Sequence, residues 1–114
     1  MRWRSIGVPG VFEDWILDLR GYSGVYAIRD TYSGEVLYVG ESHTGRLYDT
    51  LTRHFQSRSH SYHGPNLDRG RCEAKAEVCS VGEVEDLQYE WISRLRPTLN
   101  ELVPAGATDD EVPF

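Results

Sequence analysis

The sequence predicts a small single-domain α+β fold, a three-stranded antiparallel sheet flanked by helices in the order αββαβα, and three observations point to it. Two runs rich in Val, Leu, Ile and Tyr, Val25–Arg29 and Glu35–Gly40, flank Asp30-Thr31-Tyr32-Ser33-Gly34, which is turn chemistry. Residues 72–80 alternate, with Cys72, Ala74, Ala76 and Val78 separated by Glu73, Lys75 and Glu77, as a half-exposed strand does. Apolar residues recur at helical spacing before, between and after these strands. At 114 residues the chain is long enough to pack one sheet on helices and too short for two cores.

Taken in order, Phe12, Trp15, Ile16 and Leu19 define an amphipathic helix over Val11–Arg20, and Gly21 stops it. This helix and the residues before it, 1–21, form an N-terminal covering segment. In the hairpin that follows, pairing Arg29 with Glu35 sets Ala27 against Leu37, Tyr26 against Tyr38 and Gly24 against Gly40. Directly opposed residues share a face with Cβ atoms about 5 Å apart, so the two phenols would form either a structural cross-strand pair or part of a site. A second helix is predicted over Arg46–Gln56 from Leu47, Leu51 and Phe55 at i, i+4, i+8. Residues 57–70 have neither a helical nor a strand period and read as a long polar loop, a kind that is more often functional than idle. After the third strand, Ser80 and Glu83 form a capping box, and the helix they start runs to Pro97, which forbids continuation. Residues 101–114 hold Glu101, Asp109, Asp110 and Glu111 with no Lys or Arg, and are expected to form a flexible acidic tail.

Composition limits the function classes. No apolar run approaches the roughly 18 residues of a membrane span, and Met1-Arg2-Trp3-Arg4-Ser5 is not followed by a signal-peptide core, so no membrane partner and an intracellular setting, cytoplasmic or nucleoid-associated, are expected. Cys72 and Cys79 lie seven apart in one strand and so point to opposite faces, which favours reduced thiols. The net charge of −6 argues at first against a nucleic-acid partner. Its distribution points the other way. Residues 41–75 hold Arg46, Arg53, Arg58, Arg69, Arg71 and Lys75 against four acids, together with all four histidines, His43, His54, His60 and His63. Arginine's planar guanidinium suits bidentate phosphate contacts.

On the last helix Val84, Leu87, Trp91, Ile92 and Leu95 share one face, and Gln88 falls inside that stripe. An amide facing a core costs about 1–3 kcal/mol unless hydrogen-bonded, so either Gln88 has partners or the stripe opens there onto a polar pocket. On the second helix, Arg46, Thr50 and Arg53 run along one flank, and His54 lies between that flank and the buried face. Asp49 stands four residues before Arg53 and offers it a partner.

The ordered set Gly24-Val25-Tyr26, Tyr38-Val39-Gly40, Glu41-Ser42, Gly45-Arg46-Leu47-Tyr48, Arg53-His54-Phe55 and Trp91-Ile92-Ser93-Arg94-Leu95-Arg96-Pro97 with Asn100 resembles the GIY-YIG nuclease superfamily over residues 22–100. The resemblance implies metal-dependent hydrolysis of DNA phosphodiesters by an inline water, assisted by one divalent cation, Mg²⁺ or Mn²⁺. It implies that Tyr26 deprotonates or positions the water with help from Tyr38, that Arg46 neutralises charge on the phosphate, and that His54 supports the attacking or leaving oxygen. A carboxylate at position 88 would hold the metal, and this chain has Gln88 there, a neutral amide that a hard cation binds less well. DNA contacts by Arg53, Arg58, Arg69, Arg71 and Lys75 are expected, and whether a partner protein supplies targeting stays open. Two other readings compete: a non-catalytic DNA-binding module derived from such a nuclease, and a zinc-stabilised domain using His60, His63, Cys72 and Cys79.

Overall fold

The computed structural model describes residues 2–7, 11–55 and 67–99. Its elements are β1 (Arg4–Ser5), α1 (Asp14–Leu17), β2 (Gly24–Asp30), β3 (Val36–Ser42), α2 (Leu47–Arg53), β4 (Cys72–Val78) and α3 (Val81–Leu95), with a 3₁₀ turn at Arg69–Arg71 before β4. They build a small α+β domain around a four-stranded, wholly antiparallel sheet of order β1-β4-β2-β3. The predicted three-stranded sheet thus gains an edge strand. Arg4 and Ser5 pair with Ala74 and Glu73, and two residues are too few to show any period. Both predicted flanking helices are shorter than their apolar spacing suggested. Phe12 precedes α1, and Phe55 follows α2, where its N–H bonds to the Thr52 carbonyl, so both pack on the core from outside a helix.

Strand alternation divides the core in two. On one face Tyr26, Ile28, Tyr38, Cys72 and Ala74 pack with Ile16 and Leu19 and with Leu47 and Leu51 of α2. On the other, Val25, Ala27 and Val39 pack against Val84 and Trp91 of α3, with Leu87, Ile92 and Leu95 partly buried beside them. The stripe predicted on the last helix is therefore its packed face. Its start also agrees, since Ser80 and Glu83 make the reciprocal capping box. Arg96 in the left-handed region, φ 50°, ends α3 before Pro97, and the Thr98 N–H then bonds to the Val36 carbonyl.

The hairpin register differs from the predicted one by two residues. Tyr26 stands opposite Gly40 and Ile28 opposite Tyr38, while Gly24 faces Ser42. Two steps of one residue cause this. Asp30 rather than Arg29 closes the turn, its N–H bonding to the Glu35 carbonyl while its carboxylate accepts from the N–H groups of Tyr32 and Ser33 and Gly34 takes φ 77°. A bulge then inserts Leu37 between the pairs Arg29–Val36 and Ile28–Tyr38. A shift of two keeps every side chain on its face, so Tyr26 and Tyr38 remain neighbours, with ring centroids 6.4 Å apart.

Candidate active site

The two glycines of the paired motifs have steric reasons to be glycine. A Cβ on Gly24 would come within 3.0 Å of the Glu77 carbonyl carbon and the Val78 Cα of the neighbouring strand. A Cβ on Gly40 would lie 2.7 Å from Cε2 of Tyr26, and closer still to its Cζ and hydroxyl. The Tyr26 ring thus crosses β3 directly over Gly40. The tyrosine of the first motif needs the glycine of the second.

Beyond Gly40, the Tyr26 hydroxyl lies 2.6 Å from Nε2 of His54 and 3.4 Å from the Thr50 carbonyl. The His54 ring packs on both phenols, 5.5 Å from Tyr26 and 4.8 Å from Tyr38 between centroids. With the phenol donating, Nε2 accepts and Nδ1 carries the imidazole proton. All three side chains are enclosed, Tyr26 and His54 at 0% and Tyr38 at 1% exposure.

Local chemistry holds α2 in the place this needs. Gly45, at φ 75°, turns the chain out of β3 and donates its N–H to Ser23 Oγ. The Arg46 N–H donates to Ser42 Oγ and the Leu47 N–H to the Tyr22 carbonyl, so the start of α2 is tied to the end of β3 and to the segment just before β2. At the other end the His54 carbonyl accepts from the Leu67 N–H at 2.6 Å. Arg46 is the residue before the helix, not its first turn as predicted, and it is exposed.

Gln88 occupies a different environment. It is half-buried on α3 and lines a cleft of about 180 Å³ with Glu41, His43, Val81, Val84 and Glu85. This is the polar opening that an amide in an apolar stripe suggested. Glu41 is 6% exposed, and its carboxylate lies 3.1 Å from Nδ1 of His43. The structure brings Tyr26, Tyr38 and His54 together but puts Gln88 with the other sheet face. One strand serves both places, with Gly40 under the phenol and Glu41 in the cleft. Sequence reasoning did not single out Glu41 as a site residue. Its signal was parity, since position 41 falls on the same side of β3 as buried Val39 and puts a carboxylate on an apolar face.

The donors around Gln88 do not fit a resident divalent cation. Such an ion takes several anionic oxygens, whereas Gln88 is neutral and the buried Glu41 already meets His43. Among the described residues no group of three or more His, Cys, Asp or Glu side chains is placed to hold a metal. The zinc reading meets the same result. Cys72 and Cys79 are free thiols packed with different cores, and burial, reinforced by Asp30 and Asp68, pushes the Cys72 thiol up to about 11. His60 and His63 lie outside the described residues.

The predicted phosphate contacts divide. Arg53 ends α2 half-buried. Arg71 is exposed but engaged, 3.3 Å from an Asp30 carboxylate oxygen and 5.2 Å from the Tyr32 ring centroid. The Lys75 ammonium sits between two indoles, 4.8 Å from Trp3 and 5.2 Å from Trp91. Arg69 belongs to the 3₁₀ turn before β4, and Arg58, like most of the predicted 57–70 loop and all of the 101–114 tail, lies outside the described residues. No described helix is long and apolar enough to cross a membrane. Compared with known proteins, the chain matches no family model and no curated protein.

Proposed function

We propose that this domain acts on DNA phosphodiesters as an endonuclease of the GIY-YIG type, with its activity limited by the amide of Gln88. The observation that carries this reading is the 2.6 Å contact between the Tyr26 hydroxyl and His54 Nε2, with Tyr38 on the same imidazole. Residues from β2, β3 and the end of α2, picked out by motif alone, meet in one place. A phenol with a pKa near 10 is a poor base by itself, and an imidazole in hydrogen-bond contact gives its proton somewhere to go. Tyr26 would take the proton of the attacking water, His54 would hold it, and exposed Arg46 would meet the charge growing on the phosphate. Because both phenols are enclosed, a productive complex requires α2 to shift away from β3. The test is incubation of a labelled panel of duplex, branched, flap and lesion-bearing DNA with Mg²⁺ or Mn²⁺. Parent, Gln88→Glu and Gln88→Glu/Tyr26→Phe proteins are compared; cleavage by the second that vanishes in the third is expected.

One observation favours a second reading, a non-catalytic DNA-binding module. Complete burial of Tyr26, Tyr38 and His54 is what a constellation retained as core would show. DNA affinity without cleavage in any of the three proteins would establish it.

A further inference from the structure

At the sheet edge opposite β3 lies a second cleft of about 420 Å³, lined by Arg2, Arg4, Trp15, Lys75 and Ala76. Its size is that of a small-ligand site. Among the described residues no acidic side chain lines it, although the chain carries a net charge of −6. Three cations elsewhere are paired with acids: Arg29 with Glu73, Arg71 with Asp30 and Arg94 with Glu90. Arg2 and Arg4 are exposed and make no ion pair with any described residue. Arg4 is held by the pairing of β1 with Ala74, and Arg2, two residues before it, lines the same cleft. The Trp15 indole is fixed by its Nε1–H bond to the Ser5 carbonyl at 2.9 Å and is half-buried, leaving part of its surface toward the cleft. Ala76 pairs with Tyr26, but the Tyr26 ring runs from β2 over Gly40 of β3, away from β4 and β1, so the cleft is distinct from the candidate active site.

We infer that this cleft binds a single-stranded nucleic-acid segment, with Arg2 and Arg4 on successive phosphates and one base stacked on Trp15. Paired guanidiniums beside a fixed aromatic surface are what a phosphate-and-base chain engages, and a free strand leaves its bases open to stack. The choice of a nucleic acid over other polyanions rests on the function proposed above, whereas the site itself rests on the cleft.

The experiment is fluorescence-anisotropy titration of the full chain with a labelled hexathymidylate across a salt series, repeated for Arg2→Ala/Arg4→Ala, with an abasic hexamer and heparin as further probes. Loss of two charge-assisted contacts should weaken hexathymidylate binding by about tenfold or more. It should also lower the slope of log affinity against log salt by about 1.4, at about 0.7 per phosphate. The abasic strand should bind the parent about tenfold more weakly. Equal affinity and slope in the double variant, with its unfolding curve unchanged, overturns the cleft while leaving the nuclease reading to its own cleavage test. Equal affinity for abasic and normal strands overturns the stacking role of Trp15. Heparin binding without hexathymidylate binding overturns the nucleic-acid assignment.

Discussion

Gly40→Ala should be among the most damaging single-methyl changes the domain can suffer. The added Cβ would lie 2.7 Å from Cε2 of Tyr26 and nearer to Cζ and the hydroxyl, so the enclosed ring must move by about 1 Å to reach ordinary contact. Gly40 does not have a positive φ, so the cost comes from overpacking and not from backbone strain. Overpacking alone costs about 1–3 kcal/mol. Shifting the phenol also breaks its 2.6 Å bond to His54, and leaving a buried polar group unsatisfied adds about 1–3 kcal/mol. A combined loss of about 2–6 kcal/mol follows, or about 10 °C or more in Tm for a domain of this size. Urea unfolding of the variant beside Gly82→Ala gives an internal control. At Gly82, in the first turn of α3, a Cβ meets nothing within 4 Å, so alanine there should stabilise by up to about 1 kcal/mol. A Gly40→Ala protein within about 0.5 kcal/mol of the parent would refute the interlocking of the two motif residues.

Tyr26→Phe keeps the ring over Gly40 and deletes one hydroxyl, so stability should stay within about 1–2 kcal/mol of the parent by urea unfolding, while cleavage by any active form collapses. In a cleaving background such as Gln88→Glu, Arg46→Ala should reduce the rate far more than it reduces DNA affinity, and Arg53→Ala should do less of both; equal rate losses with both proteins folded would remove the charge-neutralising role from Arg46. Asp30 is held below the usual carboxylate value first by the Ser33 N–H, with Tyr32 and Arg71 adding to it. Its contribution to stability is therefore complete above the ordinary Asp pKa and fades as pH falls through the lowered one. Asp30→Asn should flatten that part of the acid limb of the stability curve, and an unchanged limb would count against the turn as its source.

Faces were more legible in the sequence than partners. Alternation assigned Tyr26, Tyr38 and the cysteines to the correct sides of the sheet because side-chain parity survives any even shift. It could not reveal the bulge at Leu37, whose residue is an ordinary apolar one, and so the expected Tyr26–Tyr38 pair became Tyr26 over Gly40. The capping box and the stripe of α3 were readable because both are local in sequence. Strand β1 was invisible, since Arg4 and Ser5 are strand only through their pairing with β4. By helical spacing His54 edges the core; in the fold it is wholly inside it, held there by the Tyr26 hydroxyl across 28 residues of chain. Contacts of that range follow from tertiary packing and leave no local pattern.

The nuclease proposal stands or falls on position 88, where this chain carries a neutral amide that a hard cation binds less well than a carboxylate. Gln88→Glu would place a third acid in the cleft that buried Glu41 and exposed Glu85 already line, giving a hard cation the anionic oxygens it prefers. Without metal, partial burial beside Glu41 should raise the new carboxyl's pKa in the folded state. The variant should then lose stability relative to the parent as pH rises past the unfolded value, and Mg²⁺ or Mn²⁺ should restore part of it by binding only the folded form. The direct measurement is the rate at which Gln88→Glu cuts the labelled DNA panel with and without Mn²⁺. Metal-dependent cleavage well above the parent's is the predicted result. A folded variant that neither gains stability from Mn²⁺ nor cuts any member of the panel would contradict the proposal.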